Sequence, residues 1–245
     1  MSNCQGIETG FDFIVGAEGA WSKTRKLVSD QTPNYSRIFS ISFEIPNAKE
    51  TAPECYKLTN CRSLFSYTAS RAIMPQYLGD GSIEVGVYIT QPHDWAENLS
   101  LNTQNIEAIK KVILDEFEGW APELLQFIRH SQNAEFRPLY MLPVGWTWEN
   151  RPGVTLIGDA AHVMTPFAGQ GVNLGMQDAM MLSRAIIKGA NSPAPKDALS
   201  NEIKSFEKDL FIRAKETATL TNDLRTMFFF SGLLRSVIEQ VVLRK

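Results

Sequence analysis

The stretch GDAAHVMTPFAGQGVN, residues 158–173, has residue types and a spacing that suit a ligand-binding turn. The predicted strand GVTLI (153–157) would deliver the carboxylate of Asp159 to its carboxyl end, where that group can accept hydrogen bonds from a sugar-like hydroxyl. Gly169 and Gly171 permit backbone conformations and close contacts that a Cβ would block. The helix predicted from about Gly171 presents free N–H groups and the positive end of its dipole, which favour an anion. The stretch therefore predicts a site for a planar or phosphorylated ligand.

A purely structural interpretation of the same stretch stays open. It describes a tight connection from strand to helix in which Asp159 only caps the helix. A histidine beside two alanines, as at His162, is typical of a hydrogen-bonded structural residue. The spacing does not rank the polar residues that could act on a substrate. The candidates for catalysis are Arg71, Arg137 and His162, with His93 and Asp159 as further candidates.

The elements that must position these residues are strands first and helices afterwards. Residues 36–90 contain a run of β-forming segments, among them CYKLTN (55–60), RSLFSYTA and RAIMPQYL, and a turn at Gly79-Asp80-Gly81 leads into SIEVGVYI. This pattern predicts one antiparallel sheet. Helical spacing then predicts helices after Asn102, in PELLQFIRH, at 171–188, and in two C-terminal segments marked by Leu199 to Leu210 and Phe230 to Val241. The predicted fold class is α+β, an antiparallel sheet with C-terminal helices.

Composition and charge exclude several function classes. With 24 basic and 27 acidic residues the net charge is −3, and no basic run points to nucleic acid. Three cysteines and three histidines form no metal-binding spacing, and the cysteines are expected as reduced thiols of a cytoplasmic protein. The apolar C-terminal segment is interrupted by charged residues, so no membrane span is predicted.

Two motifs in this order resemble a known family. VTLIGDAAHVMTPFAGQGVNLGMQDAMMLSRAI is similar to the second flavin motif of the class A flavoprotein monooxygenases, the aromatic hydroxylases, and FDFIVGAEGAWSKTRKLV is similar to their Asp-Gly motif. The likeness is greatest to the tetracycline-inactivating flavin monooxygenases and their fungal relatives. It extends from about Ile7 to the C-terminal helices.

This resemblance implies an FAD site and assigns roles to its residues. Asp159 would bond a ribose or ribityl hydroxyl of FAD, and Arg25 would lie near the phosphates or the interface. The sheet would form the wall of a substrate pocket. Glu18 stands where the family has Asp, which puts the contact of that position in doubt. The loop residues expected to lie against the isoalloxazine are Pro166, Gly169, Gly171, Val172 and Asn173.

The resemblance also implies that the βαβ unit that holds the ADP half of FAD in the family is absent from this sequence, because no G-x-G-x-x-G dinucleotide-binding turn occurs in it. The chain is therefore expected to be N-terminally truncated, with a homodimer or a partner chain covering the exposed face. The expected division is a remnant of the FAD-binding domain at 1–35, substrate-domain sheet and helices at 36–150, the strand, loop and helix of the flavin motif at 151–190, and C-terminal helices at 191–245.

Three functions follow as hypotheses. The first is a flavin-independent isomerase or cyclase acting on a polycyclic secondary metabolite, because pocket shape and oriented hydrogen bonds can accelerate such a reaction without a cofactor. The second is an FAD-dependent monooxygenase of a polycyclic or aromatic natural product that needs a dinucleotide-binding half. The third is a non-catalytic binding module.

Overall fold

The computed structural model describes residues 9–68, 70–98 and 105–231. Contacts divide the chain into two compact units. The first unit contains the residues up to Asn34 together with Tyr140–Asn222, and the second contains Tyr35–Leu139 with the residues from Asp223 on. The four-part division expected from the sequence stays a prediction.

The first unit is a small α/β arrangement built on two parallel strands, β1 (Ile14–Gly16) and β7 (Val154–Leu156). Helix α7 (Gly171–Ala190) and the first part of helix α8 (Pro195–Phe229) pack beside them. Their apolar residues meet in one core, which contains Trp148, Leu156, Ala160, Ala161, Leu182, Ala185, Ile203, Phe206, Leu210 and Ala214. Shorter elements of this unit are a 3-10 helix at Thr24–Leu27, the single turn α6 (Asp159–His162) and a 3-10 turn at Pro166–Ala168.

The second unit is a five-stranded sheet with the strand order β3-β4-β5-β2-β6. Its strands are β2 (Asn34–Ile45), β3 (Ser66–Thr68), β4 (Arg71–Tyr77), β5 (Ile83–Thr90) and β6 (Gln132–Met141). The pairs β3–β4, β4–β5 and β5–β2 are antiparallel, as the sequence predicts. Alternate residues bury one face of the sheet, because helices cover that face and leave the other one to polar and aromatic side chains. The helices of this unit are α1 (Ala48–Thr51), α2 (Pro53–Thr59), α3 (Trp95–Asn98), α4 (Ile106–Glu116) and α5 (Pro122–His130).

The turn between β4 and β5 shows why the sequence predicted this hairpin correctly. Asp80 Oδ1 accepts hydrogen bonds from the Ser82 backbone N–H at 3.0 Å and from the Ser82 hydroxyl at 2.7 Å. Gly81 adopts a φ of 90°, which glycine tolerates without strain. The turn therefore fixes the pairing that runs from Tyr77 and Ile83 up the two strands.

The strand predicted at CYKLTN is wrong, because these residues belong to α2. Pro53 occupies the first helical turn, where its missing N–H costs nothing, and Asn60 ends the helix in the left-handed conformation. Cys55 and Thr59, four residues apart, are the two buried side chains of this helix. The last predicted helix, beyond Phe230, lies outside the described residues, and so does Cys4.

Candidate functional site

The strand β7 ends in a turn that only glycine adopts readily. Gly158 has φ 58° and ψ −144°, a region closed to residues with a Cβ. The turn places Asp159 at the start of α6 with its side chain exposed. The Asp159 carboxylate accepts no hydrogen bond from any residue that the structure describes, so it is available to a ligand hydroxyl.

The loop at Pro166–Asn173 ends in an open helix N-terminus. Gly169 takes a left-handed conformation with φ 63°, and α7 begins two residues later at Gly171. The side chain of the N-cap residue Gln170 forms no hydrogen bond that caps the helix. The first backbone N–H of α7 that has an acceptor is that of Leu174, which donates to the carbonyl of Gln170. The N–H groups of residues 171–173 are therefore free of partners among the described residues.

Space beside this helix end is open. A Cβ added at Gly169 or Gly171 would meet no protein atom within 4 Å. Val172 is 77% exposed, and Asn173 is exposed as well. The predicted loop residues therefore surround a surface where free N–H groups and the helix dipole can meet a ligand with negative charge.

Arg25 connects the first motif to the second. Its guanidinium is buried and donates three hydrogen bonds to backbone carbonyls, those of Ala20 (2.7 Å), Ala160 (2.8 Å) and Asp159 (3.0 Å). Burial lowers the pKa of Arg25, and the carboxylates of Glu18 and Asp159 oppose that shift. Ser22 supports the turn by accepting the Arg25 backbone N–H at 2.9 Å. The geometry is that of an anchor between two backbone segments, and the expected contact of Arg25 with the cofactor stays a prediction.

Glu18, the departure from the family motif, has a definite partner. Its Oε1 accepts the backbone N–H of Thr24 at 2.7 Å and so caps the 3-10 helix that begins there. The small desolvation of the exposed Glu18 side chain acts to raise its pKa, but the hydrogen bonds it accepts, those from Thr24 above all and also from Ser22, together outweigh this effect and lower the pKa to about 2. The longer side chain therefore reaches the helix start, although it stands where an aspartate was expected.

A buried charged cluster lies behind the turn. Asp178 of α7 is inaccessible to solvent, and its Oδ2 accepts the Gly158 N–H at 3.1 Å and lies 2.5 Å from His162 Nε2. Arg213 of α8 donates to Asp178 Oδ1 at 3.1 Å. Since an ionised carboxylate can only accept, His162 donates through Nε2, and its Nδ1 finds no partner in the described part of the chain. His162 is thus a buried structural partner of Asp178, and its candidacy for catalysis stays a prediction.

Sequence reasoning missed Asp178 and Arg213, although one signal for Asp178 was present. The buried residues of α7 recur at helical spacing, and Asp178 stands among them as the single charged member of the set Leu174, Asp178, Leu182, Ala185 and Gly189. A carboxylate at a core position of a helix requires a buried partner. No such pattern marks Arg213.

The other two candidates for catalysis lie in the second unit on different strands. Arg71 of β4 donates to Glu116 at 3.0 Å, and Gln91 donates to the other oxygen of that carboxylate at 2.9 Å. Arg137 of β6 forms an exposed two-bond ion pair with Glu135. β5 and β2 separate their strands in the sheet order. The structure therefore does not bring Arg71 and Arg137 together.

The second face of the second unit's sheet carries aromatic and small side chains, and the end of α8 packs against part of it. Tyr67 stacks on Phe228 with ring centroids 4.2 Å apart, and its hydroxyl donates to Met74 Sδ at 3.1 Å. Burial, with a contribution from Tyr88, raises the pKa of Tyr67 to about 12, so its phenol stays protonated at neutral pH. A cavity of about 120 Å³ on this face has among its lining residues Ser42, Phe65, Met74, Gly86 and Tyr88. Phe39 and Phe43 of β2 belong to the core.

An apolar surface of the first unit has no cover among the residues described. It follows α7 through Val172, Met176 and Met180, and Ile14 and Val15 of β1 are exposed as well. Within the described ranges, no helix is long and apolar enough to cross a membrane. The same ranges contain no cluster of His, Cys, Asp and Glu side chains that could hold a metal ion.

Comparison with known proteins identifies similar sequences and structures. A family model described as FAD binding domain matches residues 147–207. The monooxygenase asqM of Emericella nidulans is 25% identical over an alignment of 256 positions, which covers 86% of this chain and 58% of that protein. The monooxygenase penA of Penicillium thymicola is 28% identical over 250 residues, with the same two coverages.

Among solved structures, Klebsiella pneumoniae HpxO complexed with FAD and uric acid matches with a TM-score of 0.71 at 18% sequence identity. The match covers 95% of this chain and 56% of that one. The fold is therefore shared over nearly the whole chain. The chain spans 58% of the length of these two relatives and 56% of that structure's chain.

Proposed function

We propose that this chain forms the flavin-facing part of an FAD site and the substrate domain of a monooxygenase. The proposal is supported by the match of residues 147–207 to an FAD binding domain and by the similarity of the chain to two fungal monooxygenases. The observation that carries the proposal is the pairing, within one unit, of a free Asp159 carboxylate with the open N-terminus of α7. The proposed substrate is an aromatic or polycyclic small molecule.

The residues present fit the hydroxyl-bearing and electron-poor parts of a flavin. Asp159 would accept a hydrogen bond from a ribityl or ribose hydroxyl. The N–H groups of residues 171–173, together with the helix dipole, would stabilise negative charge on the ring system. Pro166 and Gly169 shape the approach, since no protein atom fills the space beside Gly169. When bound and reduced, FAD would supply the oxygen-activating chemistry.

We place the substrate on the second face of this unit's sheet, beside the end of α8. Tyr67 and Phe228 stack on each other there, and a planar ring system would gain burial and stacking against the sides of these rings that do not face each other. Tyr67 stays protonated at neutral pH and its hydroxyl donates to Met74 Sδ, so it cannot accept a proton. Arg71 and Arg137 stay candidates for substrate contact, each at present engaged by a glutamate.

The apolar surface of α7 and β1 suggests where further polypeptide belongs. A two-stranded parallel sheet is exceptional, because parallel sheets are normally buried on both faces. We propose that the remaining part of the FAD-binding domain, from the same polypeptide or from a partner chain, covers Met176, Met180, Ile14 and Val15. A homodimer is the alternative cover. The expected cytoplasmic location stays a prediction.

The flavin-independent isomerase or cyclase stays a prediction without a supporting observation, since the proteins compared above carry monooxygenase names or bind FAD. The non-catalytic binding module likewise stays a prediction. Each of the two differs from the proposed function in requiring no flavin at Asp159.

A titration of the chain with FAD tests the proposal. Amide NMR shifts are followed up to millimolar FAD, so that weak binding is detected, and the Asp159→Ala variant is compared with Asp209→Ala, an exposed carboxylate of α8 in the same unit. We expect shifts at residues 171–173 and a dissociation constant at least tenfold weaker for Asp159→Ala, which corresponds to about 1.4 kcal/mol. Asp209→Ala should bind like the unmodified chain. A folded chain that shows no shift at these amides, or an unchanged affinity in Asp159→Ala, would contradict the proposal.

A further inference from the structure

We propose that Asp178 is a positioning residue that holds the two ligand-facing parts of the candidate FAD site, the Gly158–Asp159 turn and the N-terminus of α7, in one fixed arrangement. This inference rests on the proposed function for its ligand. It concerns residues that touch no ligand themselves. The structural basis is the set of bonds that one buried carboxylate makes to three different elements.

The first step concerns the backbone N–H of Gly158. The parallel ladder between β1 and β7 ends with the Ile157 N–H, which donates to the Gly16 carbonyl at 2.9 Å. The next N–H, that of Gly158, has no ladder partner and donates instead to Asp178 Oδ2. An apolar residue at position 178 would leave this donor without a partner. The carboxylate therefore holds Gly158 in the conformation that directs Asp159 outward.

The second step concerns the contact between the turn and the helix. A Cβ built on Gly175 would lie 3.5 Å from Gly158 Cα, so the two backbones approach each other with no side chain between them. Asp178 lies on the same helix, seven residues after Gly171. Because an α-helix is stiff over two turns, fixing Gly158 against Gly175 and Asp178 also fixes the free N–H groups at the start of α7.

The third step concerns the charge. A buried carboxylate needs a compensating partner, and the Arg213 guanidinium supplies it from α8. His162 adds a donor from the last residue of α6, so the short helix that begins with Asp159 is held at both ends. The cluster thus joins α6, α7 and α8 around the turn, and a displacement of one ligand-facing part would displace the other.

Amide hydrogen exchange of the ligand-free chain tests the positioning role directly. In Asp178→Ala we expect the exchange rates of the Gly158, Ala161 and His162 amides to rise at least tenfold relative to amides elsewhere in the unit. The matched control is Glu207→Gln, another buried carboxylate, which accepts hydrogen bonds from Trp148, Asn150 and Thr155 and touches no part of the turn. Glu207→Gln should raise exchange broadly, without selection for the turn.

The FAD titration described above supplies the second readout. In Asp178→Ala, the FAD dissociation constant measured from the amide shifts of Asp159 and of residues 171–173 should rise at least tenfold. In Glu207→Gln, the same constant should stay within about twofold of that of the unmodified chain. Unchanged relative protection of Gly158 in Asp178→Ala overturns the inference, whatever the outcome with FAD. Selective loss of protection in a chain that binds no FAD supports the positioning role and contradicts the proposed function instead.

Substitution of His162 provides a milder test if Asp178→Ala does not fold. His162→Gln keeps an N–H donor for Asp178 and should retain the protection of Gly158 and the FAD-induced shifts. His162→Leu removes the donor at similar volume and should lose both. Equal behaviour of the glutamine and leucine variants would show that the donor has no positioning role.

Discussion

Removal of the Arg25 guanidinium is the sharpest test of how the two motifs are held together. The side chain makes three charge-assisted hydrogen bonds to the carbonyls of Ala20, Asp159 and Ala160. Bonds to charged groups contribute about 1.5–3 kcal/mol each, but the cost of burying the cation and the lack of additivity reduce the sum. For Arg25→Met, which keeps an apolar stem of similar length, we expect a loss of about 3–5 kcal/mol in the free energy of unfolding.

Arg25→Lys should lose about 2 kcal/mol, because a single ammonium cannot reproduce the planar fork that reaches three carbonyls. Urea denaturation followed by circular dichroism and tryptophan fluorescence measures both values. Arg151→Lys is the matched control, since this exposed arginine donates to the single carbonyl of Leu27, and it should change stability by no more than about 0.5 kcal/mol. A cost below about 1 kcal/mol for Arg25→Met would refute the anchor role, and a selective loss of FAD affinity in that variant would favour the expected cofactor contact.

Two further substitutions address the motif and the turn. Glu18→Gln should destabilise the chain by about 1 kcal/mol at neutral pH, a value kept small because the group is exposed. Since the pKa is lowered from 4.5 to about 2 in the folded chain, this contribution is present above pH 4.5 and disappears as the pH falls towards 2, so melting temperatures of the two proteins should converge over that interval. Gly158→Ala should cost about 1–3 kcal/mol through backbone strain at φ 58°. Gly79→Ala is the control, because no atom lies near the added Cβ, and it should not lower the stability. Equal melting temperatures for the two alanine variants would contradict the strain argument.

The fold was predictable where local pattern and tertiary environment agree. PELLQFIRH begins with a proline and forms helix α5 over those same residues, and the Gly79–Gly81 turn joins β4 to β5. Strand β6 was missed because Arg137 and Pro138 interrupt its pattern. Pro138 is tolerated because β6 lies at the edge of the sheet, where proline's missing N–H is accommodated. Arg137 is tolerated because its side chain is exposed. Edge position is a property of the assembled sheet, so no local window contains it.

For the candidate site, the sequence predicted the local backbone, namely β7, the turn that carries Asp159 and the helix that begins at Gly171. Contact of Asp159 and the loop glycines with a ligand stays a prediction. Two of the three carbonyls that Arg25 binds, by contrast, lie about 135 positions away along the chain, and backbone atoms carry no sequence signature. The glutamate that engages Arg71 is Glu116 of α4, 45 positions away, and spacing alone does not give that contact. Glu135 lies two residues before Arg137 on the same face of β6, so this pair becomes recognisable once the strand is known.

The turn at Gly158–Ala160 is held through a backbone N–H group and through backbone carbonyls. This predicts which substitutions affect the ligand-free chain and which affect only ligand binding. Asp178 binds the N–H of Gly158, while Arg25 binds the carbonyls of Asp159 and Ala160. The Asp159 side chain is left without a protein partner among the described residues. A ligand that binds there meets a backbone already ordered by folding, so little further ordering opposes association. Loss of an anchor should therefore be visible in the ligand-free chain, whereas loss of the Asp159 carboxylate should be visible only when flavin is present.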